Sequence, residues 1–265
     1  MADTDILMLP TKIWGDHELE NGLLYGTAIG DLRFWIRKTE SELKIAYDHS
    51  HSGRDQQIPP DSIGWACYEY ANKKAKIDFT PIFPDRSVSI KSESNFWLLQ
   101  NARVKIYVDF PIWIRIGLKT KTVQRLLDLP SKILSKTWLG DFYDGELCYW
   151  WSAVTKRNYD DDIVHPNFVR CPIQLMNQSD EDLLVQRLYL RVGNMKMYIA
   201  DDELWSDEIT IQYNGEKEGS QIKQSGNPPK EKPEARLIFA GADATRKSFV
   251  AKTFATIKGL SAFDV

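Results

Sequence analysis

The sequence lacks a charge surplus and a long apolar run. Its 265 residues carry 34 Lys plus Arg against 37 Asp plus Glu, for a net charge of -3. Proteins that bind the phosphate backbone usually carry a basic surplus on one face, so this balance argues against nucleic-acid binding. The most apolar stretch, residues 107–118, is interrupted by Asp109, Pro111 and Arg115. It falls well short of the ~20 apolar residues of a membrane-spanning helix, so we expect no membrane insertion.

A secretion signal and a cysteine framework are also missing. The acidic start, Met1-Ala2-Asp3-Thr4-Asp5, has neither the basic region nor the apolar region of a signal peptide, so a cytoplasmic location is expected. Cys67, Cys148 and Cys171 are odd in number, widely spaced and embedded in apolar or aromatic runs. This pattern indicates neither disulfides nor a CxxC metal site, and we expect buried, reduced thiols.

No complete catalytic or cofactor motif occurs. The GxSxG, HExxH and Cys-centred signatures are missing. Residues 241–248 match the phosphate-binding pattern GxxxxGK[ST] at every fixed position but one, where Arg246 replaces the second Gly. Few residues follow this segment, so the rest of a nucleotide-hydrolysing domain has no place. The sequence therefore favours a non-enzymatic protein without a cofactor, although close carboxylates of an unrecognised hydrolase remain an alternative.

Two short segments contain possible metal ligands. His49 and His51 would share one face of a strand and suit Zn²⁺, but no third ligand is visible. Asp160-Asp161-Asp162 lacks the Gly and the distal Glu of a calcium loop. We expect both segments to be solvated loops and predict no metal site.

Aromatic residues inside short alternating runs give the sequence a β-strand pattern, with 9 Trp, 11 Tyr and 11 Phe. In residues 102–110, for example, apolar and polar positions alternate, as in an antiparallel sheet with one buried face. We predict a mainly β fold of antiparallel β-sandwiches. The candidate strands are residues 32–38, 43–47, 64–70, 76–79, 87–91, 102–110, 112–118, 146–153, 169–176, 184–192, 195–199, 208–213 and 236–240.

A weak internal repeat predicts two packed β modules. Trp14 precedes Tyr25 by the same interval that separates Trp138 from Tyr149, although chance similarity is the alternative. We predict an N-terminal β-sandwich module over residues 1–125 and a C-terminal one over residues 126–265. Residues 122–129 are predicted as a linking strand or a short helix. Turn signals at Gly193-Asn194 and Asn214-Gly215 predict antiparallel hairpins.

The C-terminal part contains a polar segment followed by an amphipathic one. Residues 214–234 are polar and rich in Pro, which predicts a solvated hairpin end or a long loop. An amphipathic pattern then predicts a terminal helix over residues 244–258. This helix either closes its own sheet or binds a partner. The candidate partner-binding residues are Arg246, Lys247, Phe249 and Phe254.

The densest aromatic segment is residues 138–151. In a strand from Glu146 onward, Tyr149 and Trp151 would face one way, and Trp150 the other. Such a strand is either core, covered on both faces, or a platform on which sugar rings stack beside acidic residues. The candidate ligand-binding residues are Trp138, Asp141, Tyr149 and Trp151.

Three segments, residues 135–141, 145–153 and 171–179, carry a resemblance to known proteins. Trp138-Leu139-Gly140-Asp141, Cys148-Tyr149-Trp150-Trp151-Ser152-Ala153 and Cys171-Pro172-Ile173 are typical of them. Here the chain resembles the prokaryotic family called domain of unknown function 432. The resemblance implies no catalytic residue. It does imply a possible functional link to small-conductance mechanosensitive channels, because genes of the family lie beside channel genes in some genomes.

Sequence and resemblance together favour one function and leave others open. We expect a cytoplasmic, non-enzymatic protein-binding or adaptor module, whose partner is a membrane channel's cytoplasmic part or a second copy of the chain. A module that binds carbohydrate or another small ligand through clustered Trp and Tyr is the alternative.

Overall fold

The computed structural model describes residues 6–10, 12–49, 59, 61–72, 74–140, 143, 145–159, 165–216 and 218–241, together with the backbone of 250–251. Within these residues the chain is mainly β with almost no helix, which confirms the mainly β class that the sequence predicts. In chain order the strands are β1 (Ile6–Met8), β2 (Gly15–His17), β3 (Leu24–Ile29), β4 (Leu32–Lys38), β5 (Glu42–Asp48), β6 (Ala66–Glu69), β7 (Lys76–Ile82), β8 (Val88–Leu98), β9 (Arg103–Pro111), β10 (Trp113–Lys119), β11 (Val123–Pro130), β12 (Lys136–Leu139), β13 (Glu146–Ala153), β14 (Phe168–Asn177), β15 (Leu183–Leu190), β16 (Met197–Ala200), β17 (Glu203–Ser206), β18 (Ile209–Tyr213), β19 (Ser220–Gln224), β20 (Arg236–Phe239) and β21 (Val250–Ala251).

The strands form four sheets. Their orders are β1-β3-β4-β5-β6 in the first, β11-β10-β7-β2 in the second, β12-β13-β8-β15 in the third and β20-β16-β17-β14-β18-β19-β21 in the fourth, where β9 also pairs with β14. Most neighbours are antiparallel, as predicted. Four pairs are parallel, namely β1 with β3, β8 with β13, and β14 with both β17 and β18. Residues 122–129, predicted as a linking strand or a helix, lie largely in β11.

Two hydrophobic cores lie between these sheets. The first and second sheets enclose one core, in which Phe34 of β4 contacts Phe79 of β7 with ring centroids 5.5 Å apart. The third and fourth sheets enclose the other, with Ile90 of β8 and Ile173 of β14 fully buried. Each such side chain stabilises the fold by ~1.5–3 kcal/mol. Trp14 packs against both cores and therefore links them.

The chain crosses between the two cores more than once. Strands β8 and β9 lie within residues 1–125, but β8 pairs with β13 and β15, and β9 pairs with β14. Both halves of the chain therefore contribute strands to the same sheets. The division into modules 1–125 and 126–265 stays a prediction.

The two turn signals have different outcomes. Asn214-Gly215 lies in the β18–β19 hairpin, whose strands pair antiparallel as predicted, and Gly215 has a φ of 102° that favours glycine. The hairpin predicted at Gly193-Asn194 is wrong. Val192–Asn194 is a short 3-10 turn, because the chain passes here from β15 in the third sheet to β16 in the fourth.

Two predictions for the C-terminal part are corrected. The loop predicted over residues 214–234 is interrupted by β19, which pairs along β18. The helix predicted over 244–258 is wrong at Val250 and Ala251, which form β21 beside β19. An unpaired sheet edge offers backbone hydrogen bonds to a β-branched segment, and this competes with an amphipathic pattern. Arg246, Lys247, Phe249 and Phe254 lie outside the described residues.

Candidate functional site

The third sheet presents basic and aromatic side chains on the face that points away from its core. Val88 and Ile90 of β8 are buried in the core, so Ser89 and Lys91 lie on the opposite face. The strand register places further side chains on that face. Trp150 and Tyr189 flank Ser89, whereas Ser152 and Arg187 flank Lys91. We call this surface the outer face; its strand members are Ser89, Lys91, Trp97, Trp150, Leu184, Arg187 and Tyr189, and Leu99 and Arg191 directly follow the ends of β8 and β15. The register of β8 with β15 shifts between Val185 and Arg187, but Phe96 and Leu98 face the core beyond the shift, so Trp97 stays on the outer face.

Arg187 is the most constrained charge on the outer face. Its guanidinium lies 4.5 Å from the ring centroid of Trp150, although β8 separates the two strands. Two strand spacings amount to about 10 Å, so the side chains of Arg187 and Trp150 must meet above β8, which lies between their strands. Ser89 of β8 is fully buried, and its hydroxyl has no hydrogen-bond partner among the described residues. A guanidinium that packs on an indole face gains a cation–π interaction, which restricts its position.

The outer face has a local excess of positive charge. Lys91 is directly opposite Arg187 in the register, and like charges at such positions repel. In the part of the chain that the structure describes, no carboxylate lies within 4 Å of either side chain. Arg191 forms an ion pair with Glu146 of β13, at 3.8 Å. The charge of Arg187 is thus oriented by Trp150 but not neutralised.

An apolar patch continues the outer face toward the end of β8. Trp97 is 62% exposed and Leu99 is 59% exposed. Trp97 pairs across the strands with Leu184, so the two side chains lie side by side. The turn that follows is held by the backbone N–H of Gln100, which donates to Asp182 at 3.1 Å. Large exposed apolar side chains in one patch mark an interaction surface more often than chance.

The ligand-binding residues predicted from the sequence lie mainly elsewhere. Trp138, Tyr149 and Trp151 share the core-facing side of the third sheet, as the alternation predicts, but only Trp138 is exposed, at 51%. Burial and the Asp85 carboxylate, which accepts from the hydroxyl, raise the pKa of Tyr149 to about 12. Trp151 donates its indole N–H to the Asp109 carbonyl at 2.9 Å. Asp141 lies outside the described residues, and a binding role for this set stays a prediction.

A buried ionic cluster covers the fourth sheet. Arg170 donates to both carboxylate oxygens of Asp109, at 3.0 and 3.2 Å, and to the Tyr159 carbonyl. Lys156 also donates to Asp109, at 3.1 Å. These contacts tie residues 155–159 across the sheet. Asp109 is thus paired with both Arg170 and Lys156.

A second ionic cluster ties residues 225–235 to the same sheet. Lys105 binds Glu208 at 2.6 Å and also pairs with Glu231, which accepts from the Tyr107 hydroxyl at 2.7 Å. Burial raises the pKa of Glu231, but the hydrogen bonds from Lys105 and Tyr107 outweigh this and lower it. Burial and Glu231 together raise the pKa of Tyr107. A neutral Tyr107 hydroxyl can donate to an ionised Glu231 carboxylate, and this hydrogen bond holds residues 225–235 against β9.

One carboxylate pair has divergent acidities. Asp16 and Asp78 are opposite each other in β2 and β7. Burial, and then the neighbouring Asp16, raise the pKa of Asp78, whereas Lys119 at 2.5 Å helps to lower the pKa of Asp16 despite partial burial. Thr80 donates to Asp78 at 2.6 Å. Split acidities occur in catalytic pairs, but they also occur in structural ones.

The thiols and histidines show no ligand site. Cys148 and Cys171 are buried free thiols as predicted, whereas Cys67 is exposed, since β6 is an edge strand of the first sheet. His49 interacts with the Pro130 carbonyl at 2.7 Å, and His51 and Asp160–Asp162 lie outside the described residues. Among residues whose placement is described, no group of three His, Cys, Asp or Glu side chains is arranged to hold a metal. The same residues contain no helix with the length and apolar character to cross a membrane.

An acidic groove of about 680 Å³ lies at the hairpin end. It is lined by Gln178, Ser179, Asp180, Glu181, Asn214, Gly215, Glu216 and Glu218. Asn177 beneath it donates to the carbonyls of Leu98 and Glu181, at 2.9 and 2.7 Å. Asn177 thus joins the end of β8 to Glu181 in the wall of the groove, so the groove lies close to the apolar patch.

Sequence reasoning did not single out Arg187 or Trp97. The alternation of Leu188 and Leu190 with Arg187 and Tyr189 was sufficient to place the latter pair on an outward face. That Trp150 and Lys91 share this face depends on which strands are neighbours, and strand order is not visible in local periodicity.

Comparison with known proteins gives one match. The family model described as protein of unknown function (DUF432) matches residues 13–258. No curated protein and no solved structure matches the chain. Because the family match spans nearly the whole chain, the protein belongs to the DUF432 family of proteins of unknown function.

Proposed function

We propose that this protein is a non-enzymatic protein-binding module and that the outer face of its third sheet is the binding surface. The observation that carries the proposal is Trp97, which is 62% exposed on the same face as Trp150 and Arg187, with Leu99, 59% exposed, directly after the strand. Trp, Tyr and Arg are the residue types that contribute most of the binding energy in protein interfaces.

The chemistry of the remaining clusters supports binding over catalysis. Asp109 and Glu231 are each engaged by cationic side chains, and Tyr107 is kept neutral by its surroundings. By contrast, the outer face combines an apolar patch with an oriented charge that has no counterion among the described residues. A partner that covered this face would bury the apolar area and neutralise the charge in one step.

Partner class and location form part of the same proposal. The free thiols of Cys67, Cys148 and Cys171 support a reducing compartment, and hence the cytoplasm. The cytoplasmic part of a small-conductance mechanosensitive channel and a second copy of the chain are the two candidate partners. The channel rests on the family resemblance alone. The basic C-terminal residues Arg246 and Lys247 stay candidate contacts.

The test is affinity capture from gently solubilised source cells, with the full chain as bait. The Trp97→Asp/Leu99→Asp double variant is compared with wild type and with Met8→Asp, a matched control that places Asp on the first sheet at a residue 64% exposed. Sedimentation equilibrium of each protein reports self-association. Circular dichroism shows whether the variants stay folded.

The expected result is a partner, or a dimer, that wild type and Met8→Asp retain and the double variant loses. Equal capture by all three proteins would show that the outer face is not the binding surface. A monomeric bait that captures no specific protein in any form would refute a protein-binding function and leave a small-ligand or catalytic one.

A further inference from the structure

Arg187 is positioned to bind an anion. Its guanidinium lies against the Trp150 indole, at 4.5 Å from the ring centroid, and its only hydrogen bond within the described residues is a long one of 3.5 Å from Nη1 to the Tyr189 hydroxyl. A stacked guanidinium keeps the N–H groups at its edge available for hydrogen bonds in the plane of the group. These N–H groups match two oxygens of one carboxylate or phosphate group.

The neighbours of Arg187 strengthen the attraction for an anion. Lys91 stands opposite it in the register, and their repulsion is relieved when an anion lies between them. The nearby Glu146 is paired with Arg191. Glu93, farther along β8, forms no ion pair with Lys91 or Arg187 in the described part of the chain.

We propose that Arg187, stacked on Trp150 and assisted by Lys91, binds a carboxylate side chain of an acidic segment in a protein partner. This inference rests on the proposed function, because it assigns the chemistry of the partner that covers the outer face. The apolar patch of Trp97, Leu99 and Leu184 favours a protein segment over a free anion, since a free anion would leave that patch exposed. The segment therefore carries Asp or Glu beside apolar residues.

The test uses the full chain and a fluorescein-labelled peptide of twelve residues in which Glu and Leu alternate. A second peptide has Gln in place of every Glu. Binding is followed by fluorescence anisotropy at low and at moderate salt, with inorganic phosphate as a competitor. The variants are Arg187→Lys, Arg187→Gln and the matched control Arg103→Gln, which removes an exposed Arg of β9.

We expect the Glu peptide to bind, and the Gln peptide to bind at least tenfold more weakly. Arg187→Gln should weaken binding about tenfold or more, and Arg187→Lys nearly as much, because Lys keeps the charge but not the planar pair of donors. Arg103→Gln should stay within about twofold of wild type, and added salt should weaken binding. Thermal denaturation should show that all variants stay folded, with a small loss of stability in Arg187→Gln, because that variant loses the contact with the Trp150 ring.

Other outcomes would overturn the inference. If Arg187→Lys binds the Glu peptide as tightly as wild type does, then positive charge alone holds the peptide, and the planar pair of guanidinium donors is not needed. Equal binding of both peptides, or binding of neither, would show that the outer face does not recognise a carboxylate side chain. Displacement of the bound Glu peptide by inorganic phosphate as readily as by unlabelled Glu peptide would indicate a small-anion site instead. If partner capture is lost in the Trp97/Leu99 double variant but kept in both Arg187 variants, the proposed function stands and the carboxylate site fails.

Discussion

Replacement of Arg170 by Met tests how much of the fold depends on one buried charge. The Arg170 side chain is only 1% exposed, donates twice to Asp109 and lies 5.5 Å from the Trp205 ring centroid. Removal of one partner from a buried ion pair costs about 3–5 kcal/mol, because the other charge stays buried without compensation. Asp109 retains Lys156 at 3.1 Å, so we expect a loss near the lower limit, about 3 kcal/mol.

The assay is urea unfolding at neutral pH, followed by circular dichroism, in a double-mutant cycle. Arg170→Met and Asp109→Asn are made singly and together, and the double variant should be more stable than the sum of the two losses predicts, by about 2 kcal/mol. Lys156→Met is the matched control. It removes a second cation from the same carboxylate, but from a side chain 18% exposed, so its loss should be less than half as large.

Two results would contradict this reasoning. A loss below about 1 kcal/mol for Arg170→Met would mean that the buried pair contributes no more than a surface pair. Additive losses in the cycle would mean that Arg170 and Asp109 act independently, despite the two hydrogen bonds between them.

Two further predictions concern titratable groups. Glu231→Gln should lower the unfolding free energy by about 2 kcal/mol at pH 7, because it weakens charge-assisted bonds to Lys105 and Tyr107. The pKa of Glu231 is lowered in the folded state, so its contribution is present at neutral pH and is lost as the pH falls through that lowered value. The stability gap between the two proteins should therefore narrow in acid, and a gap that widens would refute the ion pair. Aromatic disulfide reagents should modify only Cys67 in the native protein and all three cysteines after unfolding, because burial raises the pKa of Cys148 to about 11 and encloses Cys171 completely. Rapid native labelling of Cys148 would contradict its burial.

Local patterns in the sequence predict several strands closely. The predicted segments 32–38 and 146–153 coincide with β4 and β13, because alternation over seven or eight residues is a strong signal for a half-buried strand. The short strands β2, β12 and β17 were not predicted. A segment of three or four residues carries too little periodicity, and only pairing with a neighbouring strand stabilises it.

Alternation also predicts which side chains share a face of a strand, but not which segments cover that face. The alternation in β9 correctly places Ile106 and Phe110 in the core. It also places Tyr107 and Asp109 on the opposite face, but it does not show that residues 155–159 and 225–235 cover that face. Those segments lie far along the chain, and Lys156 and Glu231 become partners of β9 only after the sheets have formed.

The sequence by itself determined the β class, the long strands, the alternation within them and membership of the family. These depend on residues that are close in the chain, where backbone preferences and side-chain period act directly. The tertiary structure alone decided the outer face. Ser89, Trp150 and Tyr189 belong to three strands that are distant in sequence, and they become neighbours only through strand order and register. The contact of Arg187 with Trp150 requires that strand order, because β8 lies between their strands.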